Sequence, residues 1–320
     1  MNVFEYSDGS KRYHTYGYYL KKRFGKKIYR VSLDIGAGCP NRCGERGHGG
    51  CIFCPAGSTP LGKFTGISAE RLSQLFEQGK AAVGSKCKDG PFIAYFQAGT
   101  NTYGSLPEFE KAFDRALSYN NVVGLCAATR ADCIDDAAAD MLAGLAEKTY
   151  LTVELGLQTI HDSTAALCNR GHTFDEFMAG YERLKSRGIN TGIHIINGLP
   201  GETSEMMLAT AEAVAALRPH CVKIHMLYVE EGTPLAEMYR KGGIKLLSRE
   251  EYVSIICSQI ELMPPETIIA RLTGDGDRRR FIAPEWTLHK LPVLNEIDKE
   301  FVRRDSYQGI HFKGQQEEQP

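Results

Sequence analysis

The chain has 320 residues, with 38 Lys and Arg against 39 Asp and Glu and a formal net charge of −1. That balance excludes a particle that binds polyanions over its whole surface, so any nucleic-acid interface must be local. The length suits one α/β barrel-like domain with extensions, or two domains. Ten cysteines without the distribution of a disulfide scaffold, an N-terminus with no apolar leader core and no run of about 18 apolar residues point to a cytoplasmic protein in a reducing compartment, outside the membrane.

Residues 1–27 read as a basic, aromatic arm. Between positions 11 and 30 stand eight Lys or Arg, six aromatics and no acid. Basic groups for phosphates interleaved with rings that stack on bases suit a looped or single-stranded RNA, carried by Lys21, Lys22, Arg23, Lys26 and Lys27. A solvated arm whose tyrosines pack on the body of the protein accounts for the same pattern. An alternating strand over 28–35 then leads into a glycine-rich loop with four cysteines, Cys39, Cys43, Cys51 and Cys54. Thiolates this close together, outside a secreted scaffold, usually hold a metal or an iron–sulfur cluster. The Cys51-x2-Cys54 pair would serve zinc only with a second C-x2-C or an H-x3-5-H. None of Cys87, Cys126, Cys133, Cys168, Cys221 or Cys257 supplies a C-x2-C. Three thiolates and one open position are what a [4Fe–4S] cluster needs if one iron must bind a substrate-like molecule, and this reading is preferred to zinc.

Ser68 caps a helix to 82 with Leu72, Leu75 and Phe76 on one face. A buried-type strand over 91–96 ends in a polar loop holding Gln97, Thr100 and Asn101, where ligands bind in barrel folds, or an ordinary capped turn. A helix over 107–119, a strand over 121–128 and an alanine-rich helix over 135–147 follow, with Cys126 and Cys133 as packed thiols. The strand over 150–158 carries Glu154, a carboxylate that needs a polar partner or a ligand. Thr173 and Glu176 form a capping box for a helix to 187. Then come a strand over 190–196, Asn197 with a Gly-Leu-Pro-Gly-Glu-Thr turn, a helix over 205–217 and a strand over 222–228 with Lys223 and His225 on one face. Six β–α units imply an α/β fold, a partial (β/α)6 barrel over 28–245 with its ligand loops on the carboxyl face. Residues 246–313 form a C-terminal extension closing the barrel. In it a short strand over 268–272 precedes a charged loop in which Arg271, Arg278, Arg279 and Arg280 either bind a phosphate or are solvated. Residues 314–320 read as a disordered tail.

The run Cys39-Pro-Asn-Arg, followed by Gly-Gly-Cys51-Ile-Phe53-Cys54, resembles the Elongator-like branch of the radical S-adenosylmethionine (radical SAM) enzymes, and within it a small bacterial subfamily. The resemblance spans about residues 15–310. It implies that Cys39, Cys51 and Cys54 bind a [4Fe–4S] cluster; Cys43 departs from the pattern and leaves open whether it displaces Cys39. Gln97, Thr100 and Asn101 stand where the family binds the amino group of SAM. Gln158, with Arg170 twelve residues on, resembles the SAM-binding pair of the coproporphyrinogen-dehydrogenase and Elongator-like branches, and Arg170 is chemically apt to fork the SAM carboxylate. Glu154, His194 and Asn197 complete the implied cofactor contacts, with His194 either near the ribose or a hydrogen-bonded barrel histidine. The glycines of the turn after Asn197 let the backbone approach the adenine.

The implied chemistry is one-electron cleavage of SAM to a 5′-deoxyadenosyl radical, fed by a flavodoxin or ferredoxin. Relatives in that branch act on the wobble uridine of tRNA with an appended acetyltransferase domain; the about 75 residues after the barrel are too few for one. A tRNA-modifying radical SAM enzyme without acetyl transfer is therefore expected. The competing readings are a radical SAM enzyme for a small molecule such as a tetrapyrrole, and a zinc-dependent RNA-binding protein without catalysis.

Overall fold

The computed structural model describes residues 4–7, 9–84, 90–274 and 276–313; the 314–320 tail and Cys87 lie outside the described residues. In chain order the helices and strands are α1 (Tyr16–Phe24), β1 (Tyr29–Leu33), α2 (Pro40–Cys43), α3 (Ala69–Val83), β2 (Phe92–Phe96), α4 (Leu106–Leu117), β3 (Val122–Thr129), α5 (Asp136–Lys148), β4 (Tyr150–Gln158), α6 (Asp162–Leu167), α7 (Phe174–Lys185), β5 (Asn190–Asn197), α8 (Ser204–Ala216), β6 (Cys221–Met226), β7 (Val229–Glu230), α9 (Pro234–Arg240), α10 (Arg249–Leu262), β8 (Ile268–Arg271), β9 (Phe281–Ala283) and α11 (Lys290–Arg303). Local chemistry explains most boundaries. Ser68, Asp135 and Thr203 accept a backbone N–H as N-caps, and Thr173–Glu176 and Ser248–Glu251 form capping boxes, satisfying amide groups that the first helical turn leaves open. All five residues of β2 are buried, as in a strand covered on both faces.

Seven parallel strands form one sheet in the order β1-β2-β3-β4-β5-β6-β8, with helices outside. Lys223 on β6 donates to the Tyr95 hydroxyl on β2 at 2.9 Å. Four strand spacings separate β2 from β6, about 19 Å in a flat sheet, so the sheet curls into a half-barrel whose concave face brings distant strands into contact. Six strands were expected. The seventh, β8, comes from the region assigned to the C-terminal extension and pairs with β6 through Cys221 opposite Ile268, so the boundary placed at 245 falls inside a single sheet. A short strand was expected there but as part of the extension; β7, α9 and α10 interrupt the alternation before it, so the pattern did not attach it to the sheet.

The N-terminal arm is also part of the body. Leu20 of α1 packs with Ile93, Tyr95, Cys126 and Tyr150. Tyr19 lies against Tyr150 and His220, Phe24 against Tyr150, and the Arg30 guanidinium sits 5.1 Å from the Tyr16 ring. Lys11 and Arg12 pair with Asp298 and Asp305. The His14 carbonyl accepts from Ile269 of β8 at 2.7 Å. α1 therefore plugs the amino-terminal end of the barrel, and its rings are committed to packing rather than offered to bases. Lys21, Lys22, Arg23, Lys26 and Lys27 are exposed, but at that plugged end.

After β8 the chain returns as β9, which pairs antiparallel with β7. Arg280 donates to the Glu231 carbonyl, and Arg279, itself exposed, forks Asp277 within the loop. Arg278 stays exposed, lining a cavity of about 400 Å³ with Tyr228 and the start of α11. No helix among the described residues is long and apolar enough to cross a membrane.

Two measurements check the plug. Leu20→Ala is expected to cost about 2–5 kcal/mol in urea unfolding, as for other buried leucines. Burial, then Arg23 and His14, push the His220 imidazole down to about 4, from about 6.5 in an unfolded chain. The folded state keeps it neutral while the unfolded state takes up a proton. This stability is present above pH ~6.5 and is lost as pH falls toward 4, on the order of 3 kcal/mol in all. His220→Gln should flatten the stability–pH slope in that window.

Candidate active site

The cysteine loop leaves β1 at the carboxyl face. Cys39 is the N-cap of α2, and turns within the loop bring the Arg42 amide to the Cys39 carbonyl at 3.0 Å and the Cys54 amide to the Cys51 carbonyl at 2.9 Å. A latch from the α6–α7 connection holds this turn-rich segment in place. Asn41, fully buried, donates to the Asn169 carbonyl, and Asn169 donates to the carbonyls of His48 and Gly50 at 3.0 and 2.7 Å. Two glycines make room for it: a Cβ on Gly47 or Gly171 would lie 2.3 or 2.4 Å from the Asn41 Oδ1.

Cys39, Cys51 and Cys54 line one cavity of about 350 Å³, together with Gln97, Thr100, Glu154, Gln158, Arg170 and His194. Among the described residues no three His, Cys, Asp or Glu side chains converge as a single bound ion would need. The three thiols line one shared space, and a cluster whose irons each take their own thiolate would use them so. Cys43 does not line this cavity; its thiol lies 2.8 Å from the Tyr103 hydroxyl. Arg170 donates from Nη1 to the Cys51 sulfur at 3.2 Å and from Nη2 to the Gly156 carbonyl at 2.6 Å. The Cys54 thiol, then Arg170, draw the Cys51 thiol well below its usual range despite burial, while Cys54 rises. Burial, with Arg170 and Arg130, pushes His172 down to about 4, so its ring stays neutral beside Arg170 Nη2, 3.1 Å away.

Two expected contacts fall elsewhere. Asn101 does not line the cavity and spends its amide on the carbonyls of Phe96, Ala98 and Ala128, fastening the turn after β2. Asn197 forms a reciprocal amide pair with Gln259 of α10, 2.8 Å in each direction. The turn after Asn197 does not line the cavity either; its Glu202 bonds Thr159. Arg130 was missed by sequence reasoning. It lies at the carboxyl end of β3, forks Asp132 with two 2.9 Å bonds and leaves Nη1 buried with no partner beside the thiols. Its place directly after a barrel strand was the available signal.

Beneath the thiols the cavity reaches the barrel lumen. Glu154, 3% exposed, accepts from Tyr95 at 2.7 Å, from His194 at 3.0 Å and from Lys223, itself 2% exposed. Burial alone would raise the Glu154 carboxyl; Lys223 and His194 outweigh it and hold it well below the usual range. Lys223 and His225, on one face of β6, point into this space as the alternation implied, and Arg271 of β8 lines it too.

Residues 33–214 match the radical SAM superfamily, and residues 219–303 match the radical SAM C-terminal domain. The YtqA protein of Bacillus subtilis is 46% identical over 99% of this chain and 98% of its own length. The tRNA uridine(34) acetyltransferase of Methanocaldococcus jannaschii is 32% identical over 53% of this chain, a stretch that makes up 31% of that enzyme. Among solved structures, Elp3 of Methanocaldococcus infernus with its N-terminus deleted shares the fold at a TM-score of 0.63 and 20% identity, over 88% of this chain and 64% of its own.

Lys223→Met would strand the Glu154 charge in the lumen. The expected loss is about 3–5 kcal/mol in chemical denaturation at pH 7, and adding Glu154→Gln should restore much of it.

Proposed function

The chain belongs to the radical SAM superfamily, an enzyme family, and on that premise we propose that Cys39, Cys51 and Cys54 bind its [4Fe–4S] cluster, that SAM occupies the adjoining cavity, and that the enzyme modifies the wobble uridine of a tRNA. One observation carries the cofactor part: three thiols and the Arg170 guanidinium face a single cavity at the carboxyl ends of the strands. The residues fit the two groups. Arg130 Nη1 and Arg170 Nε are buried without partners, so the site has donors to spare for thiolates, sulfides and a carboxylate. When bound and reduced, the cluster supplies the electron that breaks the S–C5′ bond of SAM and so yields a 5′-deoxyadenosyl radical.

The protein's own groups do the rest. Arg170, held by the Gly156 carbonyl and a neutral His172, offers its guanidinium to the SAM carboxylate. Gln97, Thr100 and Gln158 line the same space with further polar contacts. The latch of Asn41 and Asn169 holds the cysteine loop over the site and limits water beside it. Glu154 and His194 bond each other first, so their part in binding SAM is to shape the pocket floor. Reduction calls for an external one-electron donor of the flavodoxin or ferredoxin type.

The tRNA reading rests on the stretch shared with the tRNA uridine(34) acetyltransferase. Of the basic residues considered for RNA, Arg278 is exposed at the same end of the barrel as the cavity, where a base could be presented. Anaerobically purified Cys39→Ala, Cys51→Ala and Cys54→Ala should each lose iron and the broad absorbance near ~400 nm, while Cys43→Ala keeps both; zinc in place of iron would overturn the assignment. Mass spectrometry of tRNA nucleosides from cells with and without the gene should show a changed wobble uridine. Identical profiles would refute the RNA substrate and leave a small molecule in its place.

A further inference from the structure

Arg130 directly follows β3 and lines the cavity alongside Cys39 and Cys51. It is 5% exposed. Its Nε and Nη2 fork the two oxygens of Asp132 at 2.9 Å each, and that carboxylate is shut off from water as well. The fork uses one edge of the guanidinium plane, so the remaining nitrogen, Nη1, lies on the side away from the carboxylate. Nη1 is buried with no hydrogen-bond partner. Arg130 lines the thiol cavity and Asp132 does not; Asp132 lines a separate cavity with Glu45 and Arg46, and its carboxylate is 3.6 Å from the Arg46 guanidinium. The ion pair is therefore oriented, with its positive end toward the thiols. Of the other two arginines at this end, Arg170 already reaches the Cys51 sulfur and the Gly156 carbonyl. Arg42 is half-buried and bonds the Pro55 carbonyl and the Ser58 hydroxyl, and water screens its charge.

From this geometry we infer that Arg130 raises the reduction potential of the cluster, with Nη1 donating to one of its sulfurs and the oriented pair holding positive charge against it. The inference rests on the assignment of the cluster to Cys39, Cys51 and Cys54. The external donor adds one electron to a centre already bound by three thiolates, so the reduced state carries the greater negative charge. A cation beside it and away from water favours that state, and so does a hydrogen bond to a sulfur. Asp132 acts in the opposite sense, but from behind the guanidinium, and charge effects fall with distance. The nearer cation prevails. Arg130 thus eases the electron's arrival without touching the S–C5′ bond, and its effect is present before SAM binds. Asp132 keeps the guanidinium aimed and limits how far the potential rises.

Midpoint potentials of the anaerobically reconstituted full chain test this, read by EPR of the reduced cluster in a dye-mediated titration, first without SAM and then with it. Arg130→Gln should make the cluster tenfold or more harder to reduce, a fall of about 59 mV for one electron. Asp132→Asn should move the potential the other way, because it leaves the cation unopposed. The double variant Arg130→Gln/Asp132→Asn strands no buried charge and should fall between Arg130→Gln and the parent; it carries the comparison if Arg130→Gln alone does not fold. Arg130→Lys, which keeps the charge, should fall less than Arg130→Gln. Iron content and the absorbance near ~400 nm should match the parent throughout, since Arg130 is not a ligand. A merely structural role would loosen the site in both single variants and shift them in the same direction. That result, a parent-like potential in the variants that lack Arg130, iron loss in every variant, or a shift that appears only with SAM would each overturn the inference. A parent without iron would sink the cysteine assignment together with it, whereas a fully loaded parent with unmoved variants would sink the role of Arg130 alone.

Discussion

A carboxylate held inside a barrel sets the terms for this molecule. Glu154 sits in the middle of β4, and its strand neighbours are apolar, so its charge has to be met across the lumen. Lys223 from β6, His194 from β5 and Tyr95 from β2 meet it there. Removing one partner of such a pair leaves a buried charge that costs several kcal/mol, more than most single packing contacts return. The network therefore penalises any curvature of the sheet that separates β2 from β6. A chain whose strands could lie flat is held in the curled form that creates a lumen at all.

The cysteine loop solves a different problem. It has few apolar side chains to bury, so polar groups from the α6–α7 connection fasten it. Asn41, Asn169 and Arg170 bridge more than a hundred residues of sequence to join its two halves to β4. Hydrogen bonds of this kind are individually worth about 1 kcal/mol. Several sharing one buried pocket fix the positions of three thiols more firmly than loop packing would. Arg170 belongs to both systems: one nitrogen touches the Cys51 sulfur, another the carbonyl of Gly156 on the strand that carries Glu154. The cofactor end and the lumen end of the cavity are thus mechanically one piece.

Much of this was legible in the chain because it is written in local chemistry. Caps at Ser68 and Thr173 mark helix starts, the alternation around Lys223 and His225 marks an inward face, and the cysteine spacing marks the site. What escaped notice depends on tertiary pairing. Asn101 and Asn197 sit at strand ends where ligands bind in barrels, yet each finds carbonyls or an amide nearer than any ligand, and a sequence cannot show which partner lies closer. Arg130 was overlooked for the opposite reason: its pairing with Asp132, two residues on, looks like a surface turn until burial is known. The basic arm misled because its tyrosines and lysines serve separate tasks. The rings close the barrel while the ammonium groups, on long flexible stems, stay in water.

That division gives the molecule a polarity. α1 and its rings seal the amino ends of the strands, and Arg30 stacks between Tyr16 and Tyr95, so the lumen has a floor. The cavity between thiols and floor is lined by four arginines, from α2, β8 and the segments after β3 and α6, and one carboxylate that is already neutralised. Strands of four to nine residues at about 3.3 Å per residue hold the sealed end roughly 13–30 Å from the open one. Charges at the sealed end are beyond the screening length of about 8 Å at physiological salt and have little influence on what enters the mouth. The positive groups that can act on a bound molecule are then those of the cavity itself, where each works at short range.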